Sequence, residues 1–152
     1  MGNRNAVYTA PFAMKENALI EFDWMPGECT GGTSYGEVRL ADTDGKVFLG
    51  IRTVSGVGLE YSTGGSISNG GLETEAWKST GITALDKVCH VSVTADFAAK
   101  KCTITLNGKK IGDMEFFNAE NFGAIEVLAV RQEKNFEWAT EIDNLKIGTL
   151  KK

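Results

Sequence analysis

From Val88 to Asp113 the chain alternates apolar and polar side chains. Cys89, Val91, Val93, Ala95 and Phe97 take one parity, and His90, Ser92, Thr94 and Asp96 take the other. After a short polar turn, Cys102, Ile104 and Leu106 alternate with Thr103 and Thr105. A period of two marks strands with one dry and one wet face. Asn107-Gly108 stands between Leu106 and Lys109, and this pair suits a type I′ turn, which needs positive φ at both central residues. A two-residue loop sets Leu106 against Lys109 and Ile104 against Ile111. The segment predicts a β-meander.

The rest of the chain reads as further strands. Ala6 to Phe12 is an edge strand, because Pro11 cannot donate to an interior ladder. In Ala18 to Trp24, Ile20, Phe22 and Trp24 face one side, and Leu19, Glu21 and Asp23 the other. Glu37 to Ala41 and Val47 to Thr53 flank Asp42-Thr43-Asp44-Gly45 as a hairpin. Val38, Leu40, Val47, Leu49 and Ile51 point inward there, leaving Glu37, Arg39, Phe48, Gly50 and Arg52 on an outer face that Glu60 of the next strand joins. Ile125 to Arg131 is apolar enough for a central strand, and Trp138 to Ile147 is the last. Two polar, glycine-rich loops interrupt the series, one before Glu37 and one over residues 63–76, and loops of that length in a compact domain usually carry function. No stretch has a helical period. The pattern predicts an all-β antiparallel sandwich.

Composition narrows the class. The 152 residues fit a single domain, residues 1–152 with a core over roughly 6–148. A net charge of −4 argues against nucleic acid or an anionic membrane as partner. No run reaches the roughly 18 apolar residues of a membrane span. The N-terminal MGNRNAVYT has no signal-peptide pattern, which leaves an intracellular protein or a module excised from a longer exported one. Of three cysteines, Cys89 and Cys102 share the inward parity and lie roughly 20 Å apart at strand rise, too far to bridge. They read as small core hydrophobes.

Catalytic patterns fail on inspection. Glu21-Phe22-Asp23 resembles the start of the E-x-D-x-x-E signature of laminarinase-type glycoside hydrolases, but Pro26 occupies the position of the second glutamate. His90 is the only histidine, with no partner set for a lyase or for a serine or cysteine nucleophile. The Asp42 to Gly45 segment lacks the glutamate that closes an EF-hand and reads as a turn. The expectation is a protein that is not an enzyme. Asp143 and Asn144 are metal candidates: many sandwich modules hold one structural Ca²⁺ where first and last strands meet. A plain bulge or turn is the other reading.

The stretches ALIEFDW, WKSTGI, DFAAKKCTITLNGKKIG, AVRQEK and EIDNLKIG together resemble the concanavalin A-like jelly rolls of the laminin-G-like and carbohydrate-binding-module group. The resemblance implies an antiparallel jelly-roll sandwich. It also implies a secreted, non-catalytic, glycan-binding role as a monomeric module of a larger bacterial plant-cell-wall-degrading protein. The same fold serves adhesins and protein-binding domains, so a laminin-G-like interaction domain, with an apolar patch around Phe48 or Trp138, stands as the alternative. A divergent glycoside hydrolase or polysaccharide lyase is the third.

Glycan binding needs aromatic faces for sugar rings and planar polar groups for hydroxyls. Trp77 and Tyr35 sit in or beside the long loops and are the stacking candidates, against the alternative of loop aromatics folded onto the sandwich edge. Trp24, Tyr61 and Phe97 follow inward parity and belong to the core. Arg39 and Arg52 share the outer face, and Arg131 and Gln132 reach its rim. With these groups the expected partner is a neutral β-glucan or hemicellulose, or a pectin, since guanidinium forks fit carboxylates. The alternative is a solvated face with a few ion pairs.

Overall fold

The computed structural model describes residues 3–26, 35–54, 58–63, 77–83, 85, 87–117, 119–130 and 140–150. Eleven strands cross them: β1 Asn3–Met14, β2 Ala18–Met25, β3 Tyr35–Ala41, β4 Val47–Val54, β5 Gly58–Ser62, β6 Lys78–Ser79, β7 Cys89–Asp96, β8 Lys101–Leu106, β9 Lys109–Glu115, β10 Phe122–Val130 and β11 Glu141–Thr149. They form a six-stranded sheet, β1-β10-β3-β4-β5-β6, and a five-stranded sheet, β11-β2-β7-β8-β9, antiparallel throughout. Among the described residues no helix is long and apolar enough to cross a membrane.

The alternating positions build the core between the sheets. Ile20, Phe22, Trp24, Cys89, Val91, Val93, Cys102 and Ile104 from one sheet and Val38, Leu40, Leu49, Ile51 and Leu59 from the other are all buried. Trp24 is completely enclosed, and its indole N–H donates to Thr140 Oγ1 at 2.8 Å, which satisfies the one polar atom of the ring. Gly36 keeps that end closed: a Cβ there would stand 2.8 Å from the Pro26 carbonyl oxygen and 3.0 Å from Thr140. Cys89 and Cys102 are buried, as the inward parity implies, and burial pushes the Cys102 thiol up to about 12.

The Asn-Gly turn has the expected geometry, with φ of 49° at Asn107 and 81° at Gly108. Leu106 does pair with Lys109, but the ladder slips after Thr105↔Lys110, so Ile104 faces Gly112 and not Ile111. Ile111 is the extra residue of a bulge and packs half-buried against the core. At the other end of the expected edge strand, regular pairing of β1 stops at Thr9 and resumes at Met14, a break that takes in Pro11.

A second bulge corrects the expected outer face. Leu40 pairs with Leu49 and Ala41 with Val47, so Phe48 is unmatched and leaves the parity of Gly50 and Arg52. It is completely buried, its ring centroid 5.2 Å from Phe97, 5.3 Å from Phe116 and 6.4 Å from Phe122. Phe48 therefore forms no surface patch. The Asp42 to Gly45 segment is a turn: Asp42 Oδ1 accepts from the amides of Asp44 and Lys46, each at 2.9 Å.

Candidate functional site

The register lines up two rows of side chains on the face of the six-stranded sheet turned away from the core. One row runs Glu37↔Arg52↔Glu60↔Ser79 across β3, β4, β5 and β6. The other runs Glu126↔Arg39↔Gly50↔Ser62 across β10, β3, β4 and β5. Arg39, expected on an exposed face, is completely buried, as are Glu37 and Glu126. Its Nε donates to Glu37 Oε2 at 2.6 Å and its Nη1 to Glu126 Oε1 at 3.3 Å, while Nη2 also reaches Glu37. A buried charge survives only when paired, and one guanidinium here serves two carboxylates. Glu37 Oε1 and Glu126 Oε2 are buried and, among the described residues, accept no hydrogen bond.

Burial pushes both carboxyls above the ordinary glutamate range. For Glu37 the Arg39 and Arg52 guanidiniums oppose that shift. For Glu126, Arg39 opposes it and the neighbouring Glu37 charge adds to it.

Arg52 occupies the accessible part of the same face. Its Nε donates to Glu60 Oε1 at 2.9 Å, and its guanidinium carbon lies 4.2 Å from the centroid of the Trp77 ring. Guanidinium over an indole is a favourable cation–π arrangement, and Glu60 holds the same guanidinium through its Nε. Trp77, just before β6, is half-buried, so the loop aromatic is tied to the sheet by this stack. Tyr35 opens β3, its backbone paired with Val130 and Val54. Arg131 and Gln132 lie outside the described residues, as does Trp138.

Thus the structure brings Trp77 and Arg52 together and puts Arg39 beneath the same face. It adds three glutamates that the sequence reading had not assigned to the site: Glu37, Glu60 and Glu126. A sequence signal for the last exists, because Glu126 is a lone charge in the apolar run IEVLAV, and such a charge in a central strand needs a buried partner.

Asp143 and Asn144 sit elsewhere. β11 pairs with β2 in the five-stranded sheet, whereas β1 pairs with β10 in the other. Asn144, at φ 53°, forms a bulge there, and its Nδ2 donates to Asp23 Oδ2 at 2.7 Å while its own amide donates to Asp143 Oδ1 at 2.8 Å. His90 Nδ1 is 3.0 Å from Asp23 Oδ1. The Asn144 hydrogen bond, then the His90 one, hold the Asp23 carboxyl below its usual range. Among the described residues no three histidine, cysteine or acidic side chains converge as a metal cage.

No family model and no curated protein matches the chain. Solved structures do. A sialidase is similar over 97% of this chain and 14% of its own, at 12% identity and a TM-score of 0.71. The carbohydrate-binding module CBM66 from Bacillus subtilis is similar over 95% of this chain and 82% of its own, at 11% identity and a TM-score of 0.61. The Caenorhabditis elegans galectin LEC-6 is similar over 94% of this chain and 89% of its own, at 14% identity and a TM-score of 0.58. The fold is the jelly-roll sandwich. At these identities the likeness concerns the fold, and the chain spans only 14% of the sialidase's length.

Proposed function

We propose that this sandwich is a non-catalytic carbohydrate-binding module that holds a polysaccharide against the outer face of its six-stranded sheet. The observation that carries the reading is the Trp77–Arg52–Glu60 array: an indole fixed by a guanidinium 4.2 Å from its ring centroid, itself fixed by a carboxylate. It combines a stacking plane for a sugar ring with polar groups already aimed at neighbouring positions. The jelly-roll fold, common to a carbohydrate-binding module and galectins, supports the same reading.

A binding role without chemistry fits the carboxyls. A glycosidase needs an acid and a nucleophile or base that flank a scissile bond. Glu37 and Glu126 instead grip one guanidinium out of solvent contact. The laminin-G-like alternative loses Phe48 as a surface anchor, since that ring is in the core. On our reading the module works as a monomer, outside the cell, within a longer plant-polysaccharide-degrading protein, and any calcium at Asp143 and Asn144 is structural.

Affinity electrophoresis tests this against xyloglucan, mixed-linkage β-glucan, xylan, galactomannan and homogalacturonan, with calcium and EDTA lanes. Retardation of wild type by at least one polymer, with no retardation of Trp77→Ala, is the expected result. A folded protein that no polymer retards would move the assignment to a protein-interaction domain.

A further inference from the structure

We propose that this face selects uncharged, hydroxyl-rich glycans and excludes carboxylated ones, with Glu60 as the accessible residue that sets the choice. The inference rests on the glycan-binding reading and adds the ligand class.

It follows from how the two arginines are used. A free guanidinium fork attracts a carboxylate, and an arginine-lined face therefore suggests a uronate polymer. Here Arg39 is held between Glu37 and Glu126, and Arg52 is held by Glu60. Among the described residues of the two rows, three carboxylates meet two guanidiniums. Acidic groups outnumber guanidiniums on this face. Among the described residues, two of the carboxylate oxygens, Glu37 Oε1 and Glu126 Oε2, take no donor.

The reachable part of the array repeats the pattern. Arg52 and Glu60 side chains are 19% and 13% exposed and bonded to each other. A sugar hydroxyl can donate to Glu60 or accept from Arg52 and leave the pair intact. A uronate carboxylate brings only acceptors and a like charge. To reach Arg52 it must approach a guanidinium that Glu60 already engages at Nε, which sets two negative groups against one partly buried cation. Like-charge juxtaposition of this kind is a common way for a site to refuse a near-isosteric ligand.

The test uses matched polymers: β-glucan, xyloglucan and galactomannan, each beside its C6-oxidised form, in which primary alcohols have become carboxylates. The full chain is titrated as wild type, Glu60→Gln and Glu60→Asp. Wild type and Glu60→Asp should bind an oxidised polymer about tenfold more weakly than its neutral parent, and Glu60→Gln should shrink that ratio severalfold. Equal affinity for both members of a pair in wild type would overturn the selection while leaving glycan binding intact. An unchanged ratio in Glu60→Gln would remove Glu60 from the role. Binding to neither member of any pair would sink the glycan reading and this inference with it.

Discussion

Arg52 lies across the Trp77 indole, guanidinium carbon to ring centroid 4.2 Å, and thereby ties a residue beyond the long 63–76 stretch to the middle of a sheet. Glu60, its cross-strand partner on β5, accepts from the same guanidinium at 2.9 Å. The aromatic thus has a fixed place on a rigid strand surface, which lowers the entropy lost when a ligand stacks on it.

Removing the indole should separate binding from folding. Trp77 is half-buried and its stack on Arg52 is worth about 0.5–1 kcal/mol at a partly exposed site. Trp77→Ala should abolish polysaccharide binding while lowering unfolding stability by about 1 kcal/mol, measured by urea denaturation.

The buried triad should behave asymmetrically. Arg39→Met leaves Glu37 and Glu126 buried without their shared cation and should cost about 3–5 kcal/mol. Replacing all three, as Glu37→Leu, Arg39→Met and Glu126→Leu, should recover most of that loss, since no uncompensated charge remains. Urea midpoints of the two variants make the comparison.

Stability should also depend on pH through the same residues. Glu37 and Glu126 are raised above the ordinary value of 4.5, so the folded chain holds their protons more tightly than the unfolded chain does. That contribution is fully present below 4.5 and is lost as pH rises through the raised folded values. Asp23, Asp113 and Glu120 are lowered and act oppositely, losing their contribution as pH falls through their folded values. As pH rises above 4.5 the stability of wild type should fall relative to Glu37→Gln, read from denaturation midpoints at each pH.

The β8–β9 turn offers a backbone test. Gly108 has φ 81° with open space where a Cβ would stand, so only conformational strain opposes Gly108→Ala, at about 1 kcal/mol. Asn107→Ala adds the loss of the acceptor that takes the His90 amide at 2.8 Å, and should cost more. Thermal unfolding of both variants decides the order.

The sandwich was legible because alternation is local: each of Cys89, Val91 and Val93 declares its face by its neighbours alone. Bulges break that logic. Phe48 changes sides and Ile111 loses its pairing with Ile104 because one strand carries an extra residue against its partner, and that count depends on two strands at once. Arg39 misled for a different reason. A charge at an outward position reads as solvated unless its partners are known, and Glu126 reaches it from 87 residues away. The shared face of Arg52 and Glu60 was read correctly from parity. That Trp77 closes over them depends on β5 pairing with β6, a two-residue strand without a pattern of its own.

A tryptophan-fluorescence titration of wild type and Trp77→Phe, with a polymer that retards the wild type, locates the bound glycan. Of the three tryptophans Trp24 is sealed in the core, and comparison with Trp77→Phe separates the emission of Trp77 from that of Trp138. Wild-type emission should change saturably and Trp77→Phe should lose that change, with binding measured in parallel by calorimetry weakened but present. An undiminished emission change and unaltered affinity in Trp77→Phe would contradict stacking on Trp77 and place the ligand away from this face.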